Sequence, residues 1–393
     1  MIKCIKTVLL GVTGGIAAYK SCYIASRLKK MGINVIAIMT KNATEFVSPL
    51  TFETLTGNKV YTETFQEHEF EVEHISLAKQ GDLFLVAPAT ANFIAKANEG
   101  IADDMLTTTF LAFEKEKVVA PAMNTAMYKN AATQKNIAEL KIKGVDFVDP
   151  VDGNLACGDT GVGKMQEPDV ICDFVIEKLY EKKDFLGKRV LVTCGGTIED
   201  IDKVRCITNY SSGKTGAYIA ANLVERGAIV TLVSGNVSVE LPKVHKNVYV
   251  RSTDDMYNAV MENLSENDVI IKAAAPCDFK PKMRYESKIK DKELTIEFVK
   301  NPDIAKEVGK IKGDKKLVIF AAETENNLDN AYRKLADKNA DMVVFNVVGG
   351  KSGGFSSDEN SVTIIKRSGE LTEVESMQKD KLAAVIVDEV ATL

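Results

Sequence analysis

Two short apolar runs, each closing on a pair of glycines, set the rhythm of the chain. Val8–Leu10 leads into Gly11-Val-Thr-Gly-Gly-Ile, and Val190–Val192 leads into Thr193-Cys-Gly-Gly-Thr-Ile. Unbroken β-branched and leucine runs of this length predict strands buried on both faces. After the first turn, residues 17–30 carry helical periodicity and good helix formers. After the second, a loop precedes a helix near Ala217–Glu225. In the first half, strands are expected at Ile33–Met39, Asp82–Ala87, Lys117–Ala120 and Val145–Val148. Helices are expected near Thr90–Asn98, Asp104–Phe113, Ala131–Lys143 and Asp169–Glu181. In the second half the expected strands are Ile229–Val233, Asp268–Lys272, Leu317–Phe320 and Met342–Phe345. A hairpin over Ser361–Val374 turns at Ser368-Gly369, and a helix over Lys379–Thr392 closes the chain. Strands alternating with helices predict an α/β protein with parallel, doubly wound sheets. The charged stretch Glu181–Arg189 interrupts the pattern just before the strand–glycine signal restarts. It divides the chain into expected domains 1–182 and 187–393, in line with two domains for 393 residues.

Composition narrows the class. Hydrophobic content of 45% and charged content of 27% are globular values. A net charge of −5 gives no sign of a nucleic-acid or membrane-surface partner. Seven cysteines without a C-x-x-C pair argue for reduced thiols in the cytoplasm and against a structural zinc. The chain runs from Met1 almost directly into the first strand, leaving no room for a signal peptide, and no apolar run approaches the ~20 residues of a membrane helix.

A glycine pair after a strand lets backbone approach a phosphate, and a helix N-terminus offers free N–H groups to it. The same turn serves as a plain connection in many α/β proteins. Neither pair fits G-x-G-x-x-G or G-x-x-x-x-G-K-[ST]. Other features are expected between the regular elements, where sites of such folds lie. His74 reads as an ordinary surface or core residue, or as a catalytic one. Asn124, directly after a strand in Pro121-Ala-Met-Asn-Thr-Ala-Met-Tyr, reads as a ligand amide or a helix N-cap. Leu155-Ala-Cys-Gly-Asp-Thr-Gly-Val-Gly-Lys-Met surrounds Cys157 with three glycines. It reads as a flap over a pocket or as a flexible loop. In the second half, Asn209-Tyr-Ser-Ser-Gly-Lys-Thr-Gly enters a helix and reads as an anion site or a capped turn. Asp278 follows a strand, Lys282, Lys288, Lys290 and Lys292 follow it, and Asn301-Pro-Asp-Ile opens a helix. A lysine run is usually a solvated face. Lys334 and Lys338, four apart, share one helical face.

Taken jointly, Gly11–Lys20, His74, Pro88–Asn92, Asp103–Thr109, Pro121–Met127 and Ala156–Met165 resemble the flavin-dependent cysteine decarboxylases that include phosphopantothenoylcysteine decarboxylase. The resemblance implies a flavodoxin-like, homo-oligomeric flavoprotein domain. It implies FMN held by Gly14, Gly15, Thr40 and the turn Pro88, Ala89, Thr90 and Asn92. It further implies His74 as base or orienter, Asn124 on the substrate carboxylate and Cys157 as proton donor. Tyr128 departs from the family, where many members carry Trp. The second half resembles phosphopantothenate–cysteine ligase through Thr193–Thr197, Val204–Lys214, Ala273–Phe279, Asn301–Ile304 and Phe320–Thr324. That resemblance implies CTP as activator. Ala273, Ala274, Asp278, Asn301, Pro302, Asp303 and Ile304 would hold cytosine and ribose. Lys288, Lys334 and Lys338 would hold phosphates, Phe320 would pack the nucleotide, and Arg205 and Asn209 would meet the acyl-phosphate. Mg2+ is expected on the triphosphate, its protein ligands unspecified. Lys203 departs from the family, where many members have Pro.

The implied function is bifunctional. CTP-dependent ligation of 4′-phosphopantothenate with cysteine is followed by FMN-dependent decarboxylation to 4′-phosphopantetheine, on the route to coenzyme A. Trimeric contacts are expected in the first half and dimeric ones in the second, with small-molecule substrates only. The rivals are a non-catalytic flavin-binding regulator, a flavoprotein decarboxylase or prenyltransferase for another substrate, and a nicotinamide dehydrogenase. The last should show G-x-G-x-x-G and an acidic residue ~20 positions on.

Overall fold

The computed structural model describes residues 5–64, 73–154, 160–290, 294–323, 327–347 and 358–393. Cys157 and Lys292 lie outside the described residues. The chain divides into two compact units, Ile5–Glu181 and Lys182–Leu393.

The first unit is built on five parallel strands in the spatial order Asn34–Met39, Thr7–Val12, Leu83–Ala89, Glu116–Pro121, Val145–Phe147. Thr7–Val12 and Leu83–Ala89 are buried along their whole length, as unbroken apolar runs covered on both faces must be. On one face, helix Ala18–Lys30 buries Ser21, Ile24, Ala25 and Leu28, a three- and four-residue spacing that keeps one stripe inward. On the other, Phe84, Phe93, Phe110 and Phe113 meet edge to face with ring centroids 5.2–5.5 Å apart. Truncating one of these rings costs roughly 3–5 kcal/mol.

Two segments differ from the sequence expectation. His74 falls on a helix, Glu73–Gln80, whose Leu77 and Ala78 enter the core beside Met105 and Phe110. The glycine-rich stretch around Cys157 has a two-stranded stem, Val151–Asn154 against Thr160–Lys164. Neither stem strand alternates apolar and polar residues, so no strand pattern is visible in it.

The second unit carries six parallel strands in the order Lys246–Tyr249, Ile229–Ser234, Arg189–Cys194, Val269–Lys272, Lys316–Glu323, Met342–Val347. The antiparallel hairpin Glu359–Lys366 and Leu371–Gln378 extends it. Here the chain does not pass from the glycine pair straight to a helix. It first makes the small hairpin Ile198–Asp200 with Cys206–Thr208, and helix Lys214–Glu225 begins earlier than its apolar pattern suggests. Gly213, at φ +78°, returns the backbone to the glycine turn. A Cβ there would lie 2.5 Å from Val237 and 3.4 Å from the Gly195 nitrogen. Among the described residues no helix is long and apolar enough to cross a membrane.

Candidate active sites

In open α/β sheets, ligands bind outside the carboxyl ends of the strands where the strand order reverses. In the first unit that point lies between Thr7–Val12 and Leu83–Ala89, and the first glycine turn sits on it. The Thr13 hydroxyl donates to Pro88 O at 2.8 Å and accepts from Thr90 N–H at 3.0 Å, and Thr40 N–H donates to Val12 O at 3.0 Å. These bonds bring Gly14, Gly15, Thr40 and the Pro88–Asn92 turn together. Gly14 is packed hard, since a Cβ there would lie 2.4 Å from Asn42. Gly15 faces open space, with only Thr90 Cγ2 near, at 3.8 Å. Thr40 and Thr90 cap the helices Lys41–Thr44 and Ala91–Glu99, while Ala18–Lys30 starts with no side-chain cap. Ala18 N–H already donates to Gly15 O at 2.9 Å and Lys20 N–H to Ala17 O at 3.0 Å, but the positive end of the helix and the side-chain-free Gly15 still make a cradle suited to a phosphate, so the residues present fit a flavin mononucleotide. Pro88 and Ala89 are buried in the strand end, and Asn92 is exposed on the first helical turn after it.

Asn124 caps helix Thr125–Lys129, its Oδ1 accepting from Ala126 N–H at 2.8 Å. The glycine-rich stem lies directly on this segment. Met123 N–H donates to Gly163 O at 3.0 Å, and Gly161 abuts the Thr125 side chain. On its far side the stem runs into Met165 and Glu167, which the buried Lys20 ammonium grips at 3.3 and 3.0 Å. That contact holds the Glu167 carboxyl below its ordinary range. Cys157 lies outside the described residues. His74 is half-buried at the start of its helix.

In the second unit the reversal falls between Arg189–Cys194 and Val269–Lys272, and a cavity of about 620 Å³ opens there. Ala273, Ala274, Asp278, Asn301, Pro302, Asp303, Ile304, Phe320, Lys334, Lys338 and Asn209 all line it. Ala274 N–H donates to Thr193 Oγ1 at 3.1 Å, and the Asn209 amide donates to Ala275 O and Pro276 O at 3.3 and 3.0 Å. Asn301 is 6% exposed and gives its amide hydrogens to Glu199 and to Cys277 O, at 3.3 and 2.9 Å. Its Oδ1 is buried without a partner among the described residues, an acceptor left for a donor from outside. Asp303 caps helix Ile304–Ile311 and pairs with Lys338 at 3.1 Å. Burial opposes ionisation of that carboxyl, but Lys338, the Lys306 N–H and Lys272 together hold it below the ordinary range.

Arg205 and Lys288 do not line this cavity. Both belong to a neighbouring pair of segments tied together by Asp202, whose side chain is fully buried. It accepts from Val204 and Arg205 N–H at 2.7 Å and from Ile289 N–H at 3.2 Å. The Arg205 guanidinium donates to Ile289 O at 3.1 Å, and Lys288 is exposed. Lys282, paired with Glu297 at 2.8 Å, is the solvated lysine its composition suggests. Sequence reasoning missed Lys272 and Lys379, which also line the cavity with Lys214 of the anion loop. Their one signal was position, at the C-end of a strand or the first turn of a helix.

Two nucleotide-type folds, each with a site at its strand reversal, define a two-centre α/β enzyme. The comparisons sharpen this. Residues 3–180 match the family model described as Flavoprotein. Residues 185–393 match the DNA/pantothenate metabolism flavoprotein C-terminal domain. The chain is 44% identical to the coenzyme A biosynthesis bifunctional protein CoaBC of Bacillus subtilis strain 168, over 99% of this chain and 97% of that protein. It is 42% identical to the protein of the same name from Vibrio vulnificus strain CMCP6, over 93% and 92%. A crystal structure of the C-terminal domain of a CoaBC protein is 37% identical, covering 54% of this chain and 97% of that one, with a TM-score of 0.47. The chain belongs to the family of bifunctional coenzyme A biosynthesis proteins, with a flavoprotein decarboxylase domain followed by a ligase domain.

Proposed function

We propose that the second unit joins 4′-phosphopantothenate to cysteine at the expense of CTP, and that the first unit decarboxylates the product with FMN. The observation that carries the ligase reading is the cavity at the strand reversal. One lobe, Ala273–Asp278 with Asn301–Ile304 and Phe320, suits a base and ribose, Asn301 Oδ1 waiting for an amino group. The other holds Ser211, Ser212 and the start of helix Lys214–Glu225, where Ser212 Oγ accepts from Lys214 N–H at 3.4 Å, beside Lys214 and Lys379, and suits a phosphorylated acid. A carboxylate does not react with an amine unaided; transfer of a cytidylyl group gives it a leaving group. Asn209 is positioned to meet the acyl end, and Lys334 and Lys338 to hold phosphates, with Mg2+ held largely by phosphate oxygens and water. Arg205 and Lys288 reach this chemistry only if the segments clamped by Asp202 close over a cavity.

In the first unit, Gly14, Gly15, Thr40 and the Pro88–Asn92 turn hold FMN. Bound flavin supplies the oxidation of the cysteinyl thiol that gives the carbanion left by CO2 an electron sink. Asn124 orients the substrate carboxylate, His74 takes or directs a proton, and Cys157 returns one at the end. Exposed Ile16, Tyr19 and Tyr23, at 60, 51 and 64%, form an apolar strip beside the crevice. The strip supports a homo-oligomeric, in our reading trimeric, first unit, with a dimeric second unit and a cytoplasmic enzyme. The test is direct. Purified protein should be yellow, and with 4′-phosphopantothenate, cysteine and CTP it should form 4′-phosphopantetheine, CMP, pyrophosphate and CO2, detected by mass. Colourless protein that binds no added FMN, or equal rates with ATP, overturns the corresponding half.

A further inference from the structure

Lys272 ends the strand Val269–Lys272 at the reversal of the second sheet. Ile270 and Ile271 before it are 1 and 0% exposed in the core, while Lys272 lines the cavity. Three other lysines of that cavity wall are neutralised by carboxylates: Lys214 by Asp358, Lys334 by Glu323 at 2.5 Å and Lys338 by Asp303 at 3.1 Å. Lys272 is half-buried, and among the described residues no hydrogen bond or ion pair holds its ammonium. The charged groups around it are Asp278 from the following loop, Asp303 from the start of helix Ile304–Ile311 and Lys338 from the end of helix Leu328–Asp337. Asp303 is already engaged by Lys338, and Asp278 is exposed. An ammonium withdrawn from water without its own counter-ion is costly, and a ligand bringing an anion into the cavity removes that cost.

We propose that Lys272 is a nucleotide-contacting residue of the ligase cavity, that its ammonium holds the phosphate chain, and that a proton binds to it together with the nucleotide. This rests on the reading of the cavity as a nucleoside triphosphate site. Burial, reinforced by Lys338, lowers the Lys272 ammonium to about 8, against the opposing pull of Asp303 and Asp278. In the empty cavity Lys272 is therefore charged below that pH and neutral above it. A phosphate in contact favours the charged form and raises the value. Nucleotide binding consequently takes up a proton above pH 8, and affinity falls as pH rises from 7 to 9, by about tenfold for one group of pKa near 8. The nucleotide itself is fully ionised over this range, since a terminal phosphate titrates near 6.

The test is calorimetry of CTP binding to the full chain at pH 7.0, 8.5 and 9.0, in two buffers of different ionisation enthalpy. Wild type should take up about 0.7 proton per CTP at pH 8.5 and weaken about tenfold between pH 7 and 9. Lys272→Arg keeps a charge at every pH and should show neither effect beyond about twofold. Lys272→Met should bind at least about tenfold more weakly at pH 7, with the same flat profile, while its melting temperature stays near that of wild type. Equal proton uptake by wild type and Lys272→Arg overturns the proposal and leaves the nucleotide reading standing. No CTP binding by wild type at pH 7 overturns the nucleotide reading and the proposal with it.

Discussion

Asn124 carries two readings that the sequence left open, helix cap and ligand amide, and the structure shows it as the cap. Its Oδ1 caps the helix Thr125–Lys129, which fixes the amide directly after the strand Glu116–Pro121. An amide has a donor end as well as an acceptor end, so a cap can also serve as a ligand group. The proton-handling residues are separable by experiment. Serine is nearly isosteric with cysteine, but its hydroxyl is a far weaker acid than a thiol of pKa ~8.5. Cys157→Ser should therefore release CO2 at close to the normal rate yet accumulate a product two hydrogens short of 4′-phosphopantetheine. His74→Asn should stop the reaction before CO2 appears. Mass detection of product alongside CO2 release distinguishes the two, and normal product from Cys157→Ser would remove that residue from the chemistry. Asp278 was legible because it follows a strand, and Asn301 because Asn301-Pro-Asp-Ile opens a helix; Phe320, inside the strand Lys316–Glu323, was legible only through the family resemblance. Lys272 and Lys379 were not legible, because an isolated lysine carries no periodicity and reads as solvated until the fold shows what surrounds it.

At the scale of elements, apolar periodicity found most of the core strands and helices but not helix Thr253–Leu264, which buries Met256, Ala259, Val260 and Leu264, and glycine hid the stem around Cys157. Helix Ala91–Glu99 could be read from its spacing alone. The stem Thr160–Lys164 could not, because Gly161 and Gly163, at φ +156° and +150°, are chosen for close approach and not for burial. A Cβ on Gly163 would lie 2.3 Å from Met123 O, and the backbone conformation is one that L residues rarely adopt. Gly163→Ala must push the stem off the segment that carries Asn124. The expected result is a loss of about 1–3 kcal/mol in first-unit stability and at least about a tenfold drop in decarboxylation, with ligation unchanged. Gly153→Ala is the control on the partner strand, where the nearest atom is the flexible Lys164 Cδ at 3.4 Å and φ is not positive. Unchanged decarboxylation in Gly163→Ala would show that the stem does not need its grip on Met123.

At the scale of the whole molecule, each unit owns a complete sheet and a complete core. Leu9, Phe84, Phe93, Met105 and Phe110 pack together in the first, and Leu191, Val260, Ile270, Leu317 and Phe345 in the second. The two strand orders also differ. The first unit places the second strand at one edge and continues 1-3-4-5, while the second runs 3-2-1-4-5-6 along its parallel part, so neither sheet lacks a strand the other could lend. The repeated strand–glycine opening made this division legible and the turn at Ser368-Gly369 marked the hairpin, but not that the hairpin joins the parallel strands as the edge of an eight-stranded sheet, since the partner of an edge strand is not written in its own pattern. Independent cores predict independent folding, since burial within a unit is what offsets its chain entropy. Residues 1–181 and 182–393, expressed separately, should each melt cooperatively within a few degrees of the corresponding transition of the full chain. The first piece should bind FMN and decarboxylate added 4′-phosphopantothenoylcysteine, and the second should release pyrophosphate from CTP in the presence of 4′-phosphopantothenate. Mixing the two pieces should restore the complete conversion. A second piece that folds but becomes active only when the first is present would mean that the ligase cavity is completed by the first unit, and the separate reading of the two sites would fail.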